Sequence, residues 1–352
     1  MVSNNYAPNL PYGFCACNLF WSESFKRAPF ATETWANINN TLTKKRWTWT
    51  DYTQDDVNLS YIKNPRVIES KVGDTENSMV RRSTVEYLMQ SGSTTLTQYG
   101  LASAVNVYDT DQTTVLKRSE TDYNLATAYT SRRIIGLPAE SRAYGRENGT
   151  LPLVSKMTYA FDEENFTIEP NQNISHVIQH DNTNYSASFI TGRANLTSTT
   201  RHDVRGQMAA VTSRVRYDIA GSAVAKLDAL NRKVAINYTD SFNDNVTRYS
   251  FAYPTTLTDP ANNSSTVKYR FDIGANVRAQ SPAPAGNTTG KITERLFDAI
   301  GRVSKETLLN TGAYTRYEYP TNGVQSKVFS TIIDTNNNNT GDTADEILSE
   351  SW

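Results

Sequence analysis

The chain has 352 residues, with 35 Lys and Arg against 36 Asp and Glu, giving a formal net charge of −1. That balance carries no polyanion signal, and the absence of a Lys/Arg run argues against nucleic acid as a partner. A hydrophobic fraction of 38% is low for a compact globule, while 20 tyrosines beside abundant Thr and Asn point to strands joined by polar turns. No apolar run reaches membrane-spanning length; near the start the longest is Phe14 to Trp21. The opening residues lack the charged and apolar regions of a signal peptide.

Residues 1–60 read as an aromatic-rich, irregular segment containing Trp21, Trp35, Trp47 and Trp49. Trp47, Trp49 and Tyr52 look like strand or packing residues, with a sugar-binding platform as the alternative. Cys15 and Cys17 are too close for an unstrained disulfide and have no recognisable metal partners, so they read as two thiols. Residues 61–200 read as a β-rich region in which short alternating runs return, such as Arg82 to Tyr87 and Thr94 to Tyr99. The nearest helical candidate is Asp122 to Arg133. Asn148-Gly149 is a turn signal, and Leu153 to Phe161 is a strand ending at Asp162. Residues 169–200 are polar and loop-like. Asn-x-Ser/Thr sequons occur at Asn148, Asn165, Asn173, Asn195, Asn245 and Asn287, and matter only in a secreted eukaryotic protein.

Residues 201–330 carry a repeated unit. Val211, Ser213, Val215 and Tyr217 fall on one face of a strand; Asp218 to Gly221 forms a turn; Ala223 to Leu227 follows; Asp228 to Asn231 turns again, and Val234, Ile236 and Tyr238 resume the alternation. Asp bonds its own backbone in such turns, and Gly or Asn accepts positive φ. His202-Asp203 with Gly206, Tyr217-Asp218 with Gly221, Phe271-Asp272 with Ala275, and Phe297-Asp298 with Gly301 and Arg302 share one shape: aromatic, Asp, spacer, small residue. The aspartates step by 15 from 203 to 218, by 10 from 218 to 228, by 13 from 259 to 272 and by 26 from 272 to 298. This scatter fits stacked hairpins with variable loops better than a strict solenoid. Ser281 to Asn287 is a Pro/Gly loop between two units.

These motifs resemble the RHS/YD-repeat family of bacterial polymorphic toxins, Tc-toxin shell subunits and teneurins. The resemblance is densest from His202 to Tyr319. It extends loosely upstream through Tyr99-Gly-Leu, Val107-Tyr-Asp109 and Ala128 to Pro138. It implies an all-β fold in which successive hairpins form a curved open sheet, part of a hollow shell. It also implies partners: the remaining repeats of the same polypeptide and an enclosed C-terminal effector, secreted or at the cell surface. Residues 331–352 read as a polar loop and a truncated end, so the chain is expected to be a fragment.

Few constellations offer chemistry. His176 and His180 have the spacing of a helical zinc pair but lack the adjoining Glu, so they read as ordinary polar residues. His202 fills the aromatic slot of a repeat, and the Asp162-Glu163-Glu164 cluster reads as solvated. The repeat aspartates, each in the same turn grammar, read as structural rather than catalytic. Asp334, Asn336, Asn338, Asp342 and Asp345 are spaced as in a calcium loop, although Asn339 stands where such loops have Gly. The expectation is a non-catalytic structural chain with no cofactor other than calcium at that loop. The alternative is a β-protein that binds carbohydrate, such as cell-surface glycans.

Overall fold

The computed structural model describes residues 2–5, 31–38, 41–54, 63–76, 78–93, 97–163, 178–319, 326–331 and 346–351. The described chain is nearly all β, an open antiparallel sheet as the sequence leads one to expect. It divides into two compact units, residues 1–160 with 199–211, and residues 161–198 with 212–352.

The first unit is a run of strands: β1 (Val2–Asn5), β2 (Ala31–Ile38), β3 (Thr41–Thr53), β4 (Arg66–Asp74), β5 (Met79–Met89), β6 (Thr97–Tyr108), β7 (Val115–Tyr123), β8 (Pro138–Gly145) and β9 (Leu153–Phe161). Each pairs antiparallel with the next. Residues 31–38 and 41–53, read as irregular apart from Trp47, Trp49 and Tyr52, instead form β2 and β3, which pair through eight register positions from Ala31↔Trp49 to Ile38↔Thr41. Alternating Thr, Lys and Trp satisfy strand propensity there without any Gly or Pro punctuation to mark the ends. The helical candidate shrinks to one turn, α1 (Thr127–Thr130), because Asp122 and Tyr123 close β7. Asn148 and Gly149 both take positive φ, closing the β8–β9 hairpin.

β10 (Leu196–His202) follows the described segment 178–195. The second unit then runs through β11 (Val211–Tyr217), β12 (Ala223–Leu227), β13 (Lys233–Asn237), β14 (Thr256–Thr258), β15 (Ser264–Arg270), β16 (Ala275–Gln280), β17 (Ile292–Phe297), β18 (Val303–Leu308), β19 (Tyr314–Glu318), β20 (Ser326–Thr331) and β21 (Glu346–Ser351). These too pair in sequence order. Buried Val224, Ala225, Leu227, Ile236 and Phe242 form its core. Few residues are fully buried in either unit, consistent with the low hydrophobic fraction.

Bulges recur at one kind of position. Register shifts fall at Thr34/Trp35, Asp51/Tyr52, Glu86/Tyr87, Val107/Tyr108, Asp122/Tyr123, Ala143/Tyr144, Arg216/Tyr217, Lys268/Tyr269 and Leu296/Phe297. Each of these ends in an aromatic residue; a further shift, Tyr87/Met89, does not. A bulge bends its strand and re-aims the side chain that follows it, so the motif aromatics Tyr217 and Phe297 mark places where pairing slips, whereas near Phe271 the slip is at Tyr269.

Candidate functional site

The repeated aspartates were the residues singled out by sequence, and the hairpin turns are where the structure places most of them. In the β11–β12 turn, Asp218 Oδ1 accepts the amides of Ala220 (3.0 Å) and Ser222 (2.9 Å), and Gly221 sits at φ +85°. The β12–β13 turn repeats this with Asp228, Leu230 and Arg232, both bonds 2.9 Å, and with Asn231 at φ +59°. The β14–β15 turn does so with Asp259, Ala261 and Asn263, both bonds 2.8 Å, and with Asn262 at φ +64°. The β17–β18 turn does so with Asp298, Ile300 (3.0 Å), Arg302 (2.9 Å) and Gly301 at φ +85°. In each, the aspartate amide also donates to the carbonyl four residues on. One carboxylate thus satisfies two turn donors and sets the hairpin register.

The second carboxylate oxygen has its own partner in three of these turns. Arg232 Nε donates to Asp228 Oδ2 at 2.6 Å, Arg302 Nε to Asp298 Oδ2 at 2.7 Å, and Asn263 Nδ2 to Asp259 Oδ2 at 2.9 Å. The carboxyls of Asp228 and Asp259 lie below the usual range, through the Arg232 amide at the first and the Asn263 side chain at the second. Burial raises Asp298, but the Arg302 amide and guanidinium outweigh it, so it also lies low.

Two motif positions depart from the pattern. Asp203 accepts amides from Arg205 (2.9 Å), Gln207 (2.6 Å) and Met208 (2.7 Å), with Gly206 at φ +69°, a wider loop in place of a tight hairpin. Asp272 caps no turn; it pairs with Arg270 at 2.8 Å, and the left-handed residue is Gly274 (φ +64°), one position before Ala275. Phe271 packs edge-on against Phe242, 5.2 Å between ring centroids, with the Arg248 guanidinium 4.4 Å from its own ring centre.

Sequence reasoning missed what the tyrosines do. Six hydroxyls donate to main-chain carbonyls: Tyr87 to Val67 (2.8 Å), Tyr123 to Ala102 (2.7 Å), Tyr217 to Leu196 (2.9 Å), Tyr238 to Ala223 (3.3 Å), Tyr269 to Pro254 (3.0 Å) and Tyr319 to Val303 (2.7 Å). For Tyr87 the geometry is explicit: Glu69 pairs with Thr84, so Val67 lies opposite Glu86, and the tyrosine is the next residue along. The same offset holds for Tyr123, Tyr238, Tyr269 and Tyr319. The signal was available as Tyr at the end of each alternating run. Tyr317 instead stacks on Tyr319, at 6.4 Å between centroids.

Across the first unit runs a cross-strand charge ladder. Arg118 bridges Glu86 (2.6 Å) and Glu120 (2.7 Å), Arg142 bridges Glu120 (2.9 Å), Asp122 (2.8 Å) and Glu140 (2.5 Å), and Lys156 reaches Glu140 (2.8 Å). The Arg118 hydrogen bond, with Arg142 and Tyr144 adding to it against burial, holds Glu120 down to about 2. Cations and anions interleave, three cations against four anions.

The other expected residues stand as follows. Trp47 lies over Gly73 on the paired strand, where a Cβ would meet the indole at 2.1 Å, so the ring covers backbone. Trp49 Nε1 donates to Asp51 at 2.8 Å. His202 Nε2 meets Thr158 Oγ1 at 3.0 Å. Asp162 is not a solvated acid: it is 7% exposed, and its carboxylate accepts the amides of Gly192, Arg193 and Ala194 (3.0 Å each) and of Asn195 (2.9 Å). Asn195 has a buried side-chain nitrogen, which excludes its sequon in the folded chain, whereas Asn148, Asn245 and Asn287 are exposed. Cys15, Cys17, Trp21, Glu164, Asn165, Asn173, His176 and the expected calcium ligands Asp334, Asn336, Asn338, Asp342 and Asp345 lie outside the described residues. Among those described, no cluster of His, Cys, Asp or Glu could hold a metal ion, and no helix is long and apolar enough to cross a membrane.

No family model matches the chain, and no curated protein matches it. Solved structures do. The TcdB2-TccC3 crystal structure is similar at 10% identity and a TM-score of 0.40, over 91% of this chain and 16% of that one. The TcdB2-TccC3-Cdc42 structure is similar at the same identity and TM-score over 87% of this chain and 16% of that one. The Photorhabdus luminescens Tc holotoxin pore is similar at 9% identity and a TM-score of 0.23, over 86% of this chain and 15% of that one. The chain therefore spans about a sixth of the length of the chains it resembles.

The turn geometry makes a first prediction. Gly301→Val should destabilise the protein by about 2 kcal/mol, because a β-branched side chain strains the left-handed region. Gly301→Asn should cost little, since Asn231 and Asn262 already fill the equivalent place. Ser304→Val, in β18, is the control; equal melting temperatures for the two valine variants would remove the turn assignment.

Proposed function

We propose that this chain is a non-catalytic structural part of an RHS/YD-repeat protein. It forms one section of a β-shell or extracellular stalk that encloses or presents a C-terminal effector, outside the cell or at its surface. The observation that supports this is the way the motif's polar groups are used. The aspartates of four hairpins hold their own turn amides, and six tyrosines hold neighbouring backbone. A side chain given the same backbone task in hairpin after hairpin builds a wall; a reaction centre gathers different groups around one point. The glycan-binding alternative is less well supported, because the Trp47 ring already covers Gly73.

The natural full-length polypeptide tests the proposal. Electron microscopy should show a hollow particle with these strands in its wall, and the segment C-terminal to the repeats should resist protease until the particle is denatured. A solid particle whose C-terminal segment is digested as fast as free peptide would overturn it. Glycan binding abolished by Trp47→Ala and Trp49→Ala would favour the alternative.

A further inference from the structure

The β11–β12 turn differs from its sisters in being covered. Asp218 is 1% exposed, whereas the side chains of Asp228 and Asp298 are 40% and 23% exposed. The cover is segment 178–195. His180 Nε2 faces the Ile219 carbonyl at 3.0 Å, and Arg193 Nη1 donates to the same oxygen at 2.7 Å. Arg193 also donates to the carbonyls of Tyr185, Ser186 and Phe189, tying the segment together before it reaches the turn.

Asp218 Oδ1 holds its two turn amides, but Oδ2 is buried without a hydrogen-bond partner. Chain chemistry explains the difference. Four residues beyond the aspartate, the sister turns carry Arg232, Asn263 and Arg302, which reach back to the second oxygen; here the position is Ser222. A buried carboxylate oxygen without a partner is costly when charged and much less so when protonated.

We propose that Asp218 is the proton-binding element of an acid-closed latch. Segment 178–195 stays docked on the turn through the Ile219 carbonyl while this carboxyl is protonated, and loosens when it ionises. The groups facing it are consistent with that role. His180 and Arg193, from the docked segment, direct their hydrogen bonds to Ile219 and not to Oδ2. Tyr238, beyond β13, donates its hydroxyl to Ala223, and Tyr217, on β11, donates to Leu196. Asp162 is occupied by the amides of residues 192–195. Burial pushes the Asp218 carboxyl up, against the lowering by the Ser222, Ala220 and Gly221 amides and by the charge of His180. Because the docked pKa exceeds the open one, the latch is fully stable below the ordinary aspartate range. It then weakens by about tenfold per pH unit up to the docked pKa, and is level above it.

Hydrogen–deuterium exchange of the whole chain, corrected for intrinsic rates, between about pH 4 and pH 8 is the test. Protection of peptides spanning 178–195 and 219–222 should fall with rising pH in the wild type. In Asp218→Asn, isosteric with the protonated acid, it should stay flat. Asp228→Asn should leave the wild-type pH dependence intact. A flat wild type, or an unchanged slope in Asp218→Asn, overturns the latch. Should Asp218→Asn fail to fold, carboxyl-carbon NMR of the wild type decides. Titration of Asp218 above the exposed turn aspartates supports the latch, and titration with or below them overturns it.

Discussion

Replacing Gly290 by Ala destabilises the second unit by about 3 kcal/mol, and denaturant midpoints measure it. The residue is buried at the base of the β16–β17 connection. A Cβ there would stand 2.0 Å from the Ser281 carbonyl oxygen and 2.4 Å from that of Pro282, both backbone atoms that no rotamer change can move aside. Relief requires the ends of β16 and β17 to part. That strains the Ser281–Lys291 backbone bond (2.9 Å) and the bond from Asn310 Nδ2 to the Gly290 carbonyl (3.1 Å). Gly286→Ala, in the same loop, is the comparison. Its Cβ would meet open space, so only the strain of φ +81° remains, about 1 kcal/mol. Equal losses for the two variants would show that the close approach at Gly290 is not what constrains the loop.

Asp162→Ala is expected to cost about 4 kcal/mol, because four main-chain donors lose an acceptor at once and each unpaired buried donor carries a penalty of about 1–3 kcal/mol before relaxation. Asp162→Asn should cost about half as much: it keeps one acceptor oxygen, and Asn tolerates the left-handed φ of +54° found there. Global unfolding gives the totals. Exchange rates of the amides of residues 192–195 locate the loss, and a uniform loss of protection across the second unit would argue against a local hub.

The strands and turns from Val211 to Tyr238 were readable, because Asp, a left-handed Gly or Asn, and period-two alternation sit within one short window, but the bulge at Arg216/Tyr217 takes Tyr217 out of the face expected for it. The same grammar misassigned Asp272. There the loop closes between Arg270 and Ala275, and nothing in Phe-Asp-Ile-Gly reveals that the aspartate turns outward to Arg270. β2 and the start of β3 were missed for the opposite reason: beyond Trp47, Trp49 and Tyr52, read as strand or packing residues, these long Thr- and Trp-rich strands carry no Gly or Pro punctuation. Asp162 looked like part of an exposed acidic cluster because its partners lie some thirty residues downstream. The bulges escaped too. Each shifts the alternation by one residue at the aromatic, which in sequence reads as the end of a strand rather than as a slip within it.

The tyrosine contacts have a consequence for how such a chain can change length. Five of the hydroxyl bonds close between paired strands, and the tight turns of Asp218, Asp228, Asp259 and Asp298 are each complete within five residues. Exceptions to this local closure, among the described residues, are the β11–β12 turn, which His180 and Arg193 also hold, and Asp162, which binds the amides of residues 192–195. A strand pair between one such tyrosine and its counterpart two strands on thus carries its own turn and hydroxyl contacts with it. Loops as different as the four-residue tip at Phe271–Gly274 and the longer connection from Ser281 to Lys291 can lengthen without propagating a shift. Units of this kind can be added or lost with their local geometry intact.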